Sequence, residues 1–407
     1  MKKEFFSVKT VAQVQNDFRP QRRTAVEDIS LHTGVGRVAS KAILSPEDLP
    51  GFARSAVDGY AVKAADTFGA SPSLPSPLNL IGDIPMGEEP RLVIKPGTAA
   101  AIATGGVIPS GADAVIMVEH TLLQSANTLE IFKAIAPGEA VVRANEDITA
   151  GSLILNSGCT IRAEHLGLLA SSGTTSFSVF SQPRVSIIST GDELVAPHST
   201  NLSPGQIRDS ITGLVTALVQ KSGGIPISRG IIPDNPKYLR AEFEEALKTS
   251  DLVVVSAGSS VGERDITAEV INSLGKPGIW CHGIAIKPGK PTLLAECRDI
   301  PIIGLPGNPA SALVVFKLIG IPLLRLIGGH TKPLTPATTR VLLARDIPSV
   351  AGRLDVVQVK LVKGHAEPLF AKSSALSALA QADGQILIPE EASGLYENTE
   401  VTVELHE

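Results

Sequence analysis

Lys287-Pro288-Gly289-Lys290-Pro291 sets two cations three residues apart on a backbone stiffened by two prolines. A second rigid loop, Gly304-Leu305-Pro306-Gly307-Asn308-Pro309, follows closely and leads into an apolar helix, leaving its backbone amides open. Cations beside open amides suit an anion carrying phosphate or oxyanion groups. Other loops add to this chemistry. Thr190, Gly191, Ser256, Gly258, Ser259, Ser260 and Gly262 present hydroxyls and unhindered amides just before helix starts. Small residues serve a tight turn as readily as a phosphate nest in any one loop. Three such loops together with two lysines point to an anion site.

Carboxylates fall in the same loops: Asp192, Glu193, Asp234 and Asp265. Beside a phosphate site they suit Mg²⁺, which takes one or two carboxylates plus phosphate oxygens. Asp265 before Ile266-Thr267 would equally cap a helix. Glu193, in Thr-Gly-Asp-Glu-Leu, holds no obvious cap position and is the better ligand. Two further spots, Ser55-Ala56-Val57-Asp58-Gly59-Tyr60 and Thr104-Gly105-Gly106, read locally as ordinary turns. No G-x-S-x-G elbow, Walker-type G-x-x-x-x-G-K-[ST] loop or dinucleotide fingerprint is present.

The elements that must position these residues follow from periodicity. β-branched runs at 185–189 and 251–255, and a third at 302–304, each end in one of the polar glycine-bearing loops. Helical patterns lie between them at 211–221 and from Asn235-Pro236 to about 248. That alternation predicts a doubly wound parallel sheet, with ligands at the carboxyl ends of its strands. Residues 51–147 alternate apolar segments (79–84, 98–103, 114–118, 128–131) with Pro and Gly turns and read as a small, mostly antiparallel β unit. Residues 148–180, with a strand at 152–155 and a helix at 163–171, pack beside residues 1–50, so the β unit is an insertion. In the N-terminal part, Thr24-Ala25-Val26-Glu27 reads as a capping box opening a helix that ends near Gly34, and 36–44 as one strand. The α/β unit runs 181–328. After it, Pro333 and Pro336 mark a linker, and 329–407 reads as a small β-barrel or sandwich with strands at 355–360, 385–389 and 401–405.

The composition agrees. At 407 residues, several domains are expected, and 43% hydrophobic residues with only 4% aromatics lean toward α/β layers filled by aliphatic side chains. A net charge of −5 argues against a general nucleic-acid binder. Cys159, Cys281 and Cys297 form no C-x-x-C pair, which fits a reducing, cytoplasmic setting. Residues 310–327 are greasy but interrupted by Lys317, Pro322 and Arg325, so they read as a buried helix rather than a membrane span.

These motifs, in this order, resemble the MoeA family of molybdopterin molybdenumtransferases, related to the E domain of gephyrin. The resemblance runs from Leu49-Pro50-Gly51-Phe52 and Ser55 to Val62, through Ile102 to Gly106, Pro109 to Val115 and Asn145-Glu146-Asp147-Ile148. It continues through Ser189 to Leu194 and Ser260 to Asp265, and ends at the Lys-Pro-Gly-Lys-Pro and Leu-Pro-Gly-Asn-Pro loops. It implies a Mg²⁺-dependent insertion of molybdate, or tungstate, into adenylylated molybdopterin with release of AMP. The implied roles are charge binding by Lys287 and Lys290, and support of Mg²⁺ and the pterin nucleotide by Glu193, Asp234 and Asp265. Thr190, Gly191, Asp192, Ser256, Gly258 and Ser259 would form the cradle, with Pro306, Gly307 and Asn308 as its wall. It also lifts Asp58, Thr104 and Asp147 from turns to active residues, facing the sheet unit of a partner subunit in an elongated homodimer. The substrate would come from a molybdopterin adenylyltransferase. Two other readings stay open: that adenylyltransferase activity itself, which resides in a lone sheet domain, and a non-catalytic molybdopterin-binding scaffold.

Overall fold

The computed structural model describes residues 8–257, 266–370, 372 and 374–406. Its centre is a six-stranded sheet. The strand order is Ile225–Ile232, Arg184–Thr190, Leu252–Ala257, Ile300–Pro306, Leu293–Cys297, Pro277–His282. The first four strands are parallel, and Leu293–Cys297 runs antiparallel to both of its neighbours, so the sheet is mixed rather than wholly parallel. The sequence expectation missed the antiparallel edge because its strands carry no buried β-branched run. Helices cover both faces. Ile211–Lys221 and the helical segment Pro309–Ile327 pack on one face, and Pro236–Thr249 and Ile266–Ser273 on the other, around separate apolar clusters. This double winding explains why the inner strands read as continuous hydrophobic runs.

The segment Pro309–Ile327 is long and apolar enough to cross a membrane by length and composition, with mean hydropathy 2.0, yet 61% of its apolar window is buried inside the protein. Its middle turn, Phe316–Gly320, is a π-helix.

The β-rich part forms a six-stranded sheet in which only Ser76–Asp83 and Thr98–Ile102 run parallel. Flanking it in sequence, Val26–Ser30 pairs with Ser176–Phe180, and Ile43–Leu44 with Leu153–Leu155. Residues 24–30 are therefore not helical: Val26–Ser30 is a strand, and residues 36–44 are broken into Val38–Ala39 and Ile43–Leu44. The chain's N-terminal capping box lies earlier, at Thr10 and Gln13, opening the helix Val11–Asp17. The C-terminal strands Leu354–Val362, His365–Pro368, Thr338–Leu343, Glu400–Leu405 and Gly384–Ile388 close on themselves into a five-stranded barrel. One pairing ties this barrel to the α/β unit: Ile286–Lys287 runs parallel to Leu354–Asp355.

Candidate active site

Strand register builds the first part of the site. Thr190 and Ile232 are partners in adjacent strands, so the loop after Ile232 brings Asp234 beside Thr190. Thr190 Oγ1 donates to Asp234 Oδ1 at 2.6 Å, and the Asp234 amide donates to Asp192 Oδ1 at 3.1 Å. Gly191 stands between them with φ +153°, and a β-carbon there would lie 2.7 Å from the Glu193 carboxylate. Glycine thus lets Glu193 fold back over the turn.

Ser189 and Ser256 are likewise partners, and Ser256 Oγ donates to Ser189 Oγ at 3.2 Å. Ser189 Oγ in turn donates to Asp209 Oδ2 at 2.7 Å. The other Asp209 oxygen accepts the amides of Ile211 and Thr212 and so caps the helix that follows. Thr190, Glu193, Asp209, Ser256, Gly307 and Asn308 line a cavity of about 290 Å³. Asp192 and Asp234 flank it through their bonds to Thr190 and to each other.

A larger cavity, about 1240 Å³, lies between the α/β unit and the barrel. Lys287, Lys290, Pro306 and Asn308 line it from the sheet side. The lysine loop is pinned. Buried Thr292 donates its hydroxyl to the Gly289 carbonyl at 2.6 Å, and the Ile284 amide donates to the Lys290 carbonyl at 2.9 Å. Gly289 takes φ +123°, and a β-carbon would meet Val315 Cγ2 at 2.6 Å. Only glycine allows the loop to lie this close to the helix behind it. From the barrel side come Arg353, Asp355, Lys372 and Ser374. Asn308 and Ser374 line both cavities, so the two are contiguous.

Sequence reasoning missed Asp209, Arg353, Asp355 and Ser374. Asp209 had a signal: an Asp-Ser pair immediately before a helix at the carboxyl edge of the sheet. The barrel residues had none, because only the strand pairing across the two units brings them here.

Asp58, Thr104 and Asp147 line neither of these cavities. Thr104 donates both its amide (2.7 Å) and its hydroxyl (2.8 Å) to Asp58 Oδ1. These bonds, the amide first, hold the exposed Asp58 carboxyl below the usual carboxylate range. Asp147 is exposed, and its amide donates to the Leu49 carbonyl. Gly258, Ser259 and Asp265 lie outside the described residues. Among the described residues no group of three or more His, Cys, Asp and Glu side chains is gathered for a metal.

Comparison with known proteins covers nearly the whole chain. Residues 7–173 match the MoeA N-terminal region (domain I and II), 186–326 the probable molybdopterin binding domain, and 340–406 the MoeA C-terminal region (domain IV). A molybdopterin molybdenumtransferase from Nostoc sp. is 37% identical over 77% of this chain and 72% of its own length. Molybdopterin molybdenumtransferase 2 from Mycobacterium tuberculosis is 33% identical over 92% of this chain and 94% of its own. Two solved structures of the molybdopterin biosynthesis MoeA protein from Pyrococcus horikoshii cover 98% of this chain. One covers 99% of its own chain at TM-score 0.81 and 36% identity, the other 100% at 0.85 and 28%. This chain belongs to the MoeA family, the molybdopterin molybdenumtransferases.

Proposed function

We propose that this chain inserts molybdenum, delivered as molybdate, into adenylylated molybdopterin and releases AMP. The observation that carries this reading is the contiguity of two chemically different cavities. The smaller offers hydroxyls and carboxylates at a sheet edge, and the larger offers Lys287, Lys290, Arg353 and Lys372 around a roomy mouth. A nucleotide-linked pterin needs the first kind of surface for its polar groups, and an oxyanion needs the second.

In this reading the lysines and Arg353 hold the molybdate dianion beside the pterin. Thr190 and Ser256 orient the phosphates, Ser256 through its hydroxyl chain to Asp209. Asn308 and Ser374, at the junction, keep the two substrates in register. Of the groups at the sheet edge, the carboxylates suit a hard cation: Glu193 and Asp234 would hold Mg²⁺ together with substrate phosphate oxygens, with Asp265 as a third carboxylate, while the Arg208 guanidinium lining the same cavity would meet phosphate charge. When bound, such an ion would offset phosphate charge and polarise the bond that releases AMP.

Asp58, Thr104 and Asp147 belong to the same reaction through a homodimer, in which they meet the cavities of the second chain. Substrate would be handed over by a molybdopterin adenylyltransferase. Cys159, Cys281 and Cys297 form no disulfide, and this reading places the reaction in the cytoplasm.

The test is to incubate the purified chain with adenylylated molybdopterin, Mg²⁺ and either molybdate or tungstate, and to measure AMP. Oxyanion-dependent AMP release is expected, and the better oxyanion names the metal. ATP-dependent adenylylation of molybdopterin without AMP release from the adenylylated form would replace this reading with the adenylyltransferase. Nucleotide binding with neither reaction would leave a scaffold.

A further inference from the structure

Among the described residues Asp355 is the one carboxylate lining the larger cavity, and it is nearly inaccessible, at 3% exposure. An anion-binding mouth with a buried carboxylate in its wall calls for an explanation, because a carboxylate repels the ligand that the cations attract. The geometry supplies one. Arg353 Nε donates to Asp355 Oδ1 at 2.7 Å, and the Arg353 terminal nitrogen reaches Oδ2 at 3.4 Å, a forked contact that fixes the guanidinium plane. On the other side Lys287 Nζ lies 3.8 Å from Oδ2. Lys287 and Asp355 are also register partners in the strand pairing that ties the α/β unit to the barrel. One buried carboxylate thus touches a cation from each unit. The two contacts differ: the arginine is held tightly, while Lys287, with its side chain 59% exposed, is held loosely and remains free to turn to a ligand.

We propose that Asp355 is a positioning residue for the oxyanion: it locks Arg353 in place and lends Lys287 to the incoming anion, so that both cations stand ready at the cavity wall. For the identity of the anion this rests on the molybdenumtransferase reading. The placement of the two cations rests on the strand pairing and the contacts themselves.

The proposal predicts a sign that simple charge counting reverses. If Asp355 acted only as a negative charge, Asp355→Asn would tighten binding of any anion. If it positions the cations, Asp355→Asn weakens molybdate binding about tenfold, in the range seen when an outer partner of a ligand-binding group is removed. Asp355→Glu keeps the charge but displaces it by one methylene, so its affinity falls between wild type and Asn. The measurement is calorimetric titration of the whole protein with molybdate alone, with thermal melts alongside. The expected order of affinity is wild type, then Glu, then Asn. Molybdate binding to Asp355→Asn equal to or tighter than wild type overturns the proposal, as does absence of molybdate binding by the wild type. If the Asn variant does not fold, Glu must still bind more weakly than wild type, and equal binding overturns it.

A second readout separates positioning from a merely structural role. In an Arg353→Met background, Asp355→Asn should cost clearly less than in the wild type, because its main client is gone; full additivity overturns the proposal. AMP release is measured separately. Molybdate affinities in the expected order without AMP release would refute the proposed reaction and leave the positioning role intact. AMP release with another order would do the reverse.

Discussion

Two threonine–aspartate pairs in this molecule use the same bond in opposite settings. At the sheet edge, Thr190 Oγ1 donates to Asp234 Oδ1 from a position 2% exposed, beside a cavity floored by Ser256 and Asp209. In the β-rich unit, Thr104 donates amide and hydroxyl to Asp58 Oδ1 in full contact with solvent, with neither residue lining either cavity. The first pair is held by strand register and would persist as part of the fold. The second is charged and exposed, and it lines neither of these two cavities in its own chain. A hydroxyl and an amide spent on one exposed carboxylate oxygen do little for stability, since water would satisfy that oxygen as well. On the proposed reading, the first pair belongs to the half of the site that one chain supplies, and the second to the half that would meet a ligand held by a second chain.

The strongest way to break this comparison is a hybrid dimer. Asp58→Ala and Lys290→Met should each lower AMP release by about 10²-fold or more, the scale of losing a charge-stabilising group. Purified hybrids carrying one chain of each kind should recover about half of the wild-type rate, because one of the two sites then has Asp58 from one chain and Lys290 from the other. Hybrids as inactive as the parents would place both residues in one chain's site and end the comparison.

A smaller effect sharpens it. Thr104→Val removes the hydroxyl donor to Asp58 but keeps the amide, so the Asp58 pKa should rise toward the ordinary carboxylate range. Because the native pKa is the depressed one, the charged form is lost at higher pH in the variant, and the acid limb of the pH–rate profile moves up. Carboxylate titration by NMR checks the direction. Thr190→Val is the contrasting variant: at a buried position the lost bond should register in the melt, at about 1 kcal/mol. A pH profile unmoved by Thr104→Val would show that Asp58 carries no charge-dependent role.

The same contrast explains what could be read from sequence. The inner strands announce themselves because both faces are buried: Val253, Val254 and Val255 are all at 0% exposure. Ile225–Ile232 does not, since Pro226 and Gly230 interrupt it, and it tolerates both as the edge of the sheet. The polar segment Val26–Ser30 is a strand only because Ser176–Phe180 lies across from it, and its Thr-x-x-Glu pattern imitates a helix start. The sheet-edge residues of the site were legible for a related reason. A loop after a buried strand has a known place, so Thr190, Gly191, Glu193 and Ser256 could be put at one edge before any coordinates. Arg353 and Asp355 could not, because their address is set by a pairing with Ile286–Lys287, far away in the chain.

That interface between barrel and α/β unit also carries the mildest prediction. His406, on the barrel's last strand side, lies with Nδ1 2.9 Å from Lys317 Nζ and Nε2 2.7 Å from Gln358 Oε1. The ammonium can only donate, so Nδ1 accepts and Nε2 carries the proton toward Gln358. Burial, then the Lys317 charge, lowers the His406 pKa to about 4, with Asp383 opposing and Lys221 adding to the shift. His330, between Thr160 and the Arg325 carbonyl, is lowered to about 4 by burial first and then by Arg325. Both folded pKa values lie below the unfolded value of about 6.5, so the unfolded chain binds more protons between those limits. Their contribution to stability is therefore whole above pH 6.5 and is lost progressively as the pH falls toward 4. Melting temperature should drop by a few degrees between pH 7.5 and pH 5. His406→Gln, which can still accept from Lys317 and donate to Gln358, should flatten that slope without changing the melt at pH 7.5. An unchanged slope would mean that the barrel's junction with the sheet does not depend on a neutral imidazole. The cleft holding Lys287 and Arg353 would then rest on the strand pairing and on the apolar packing of Leu354, Val356 and Leu387 against the core of the α/β unit.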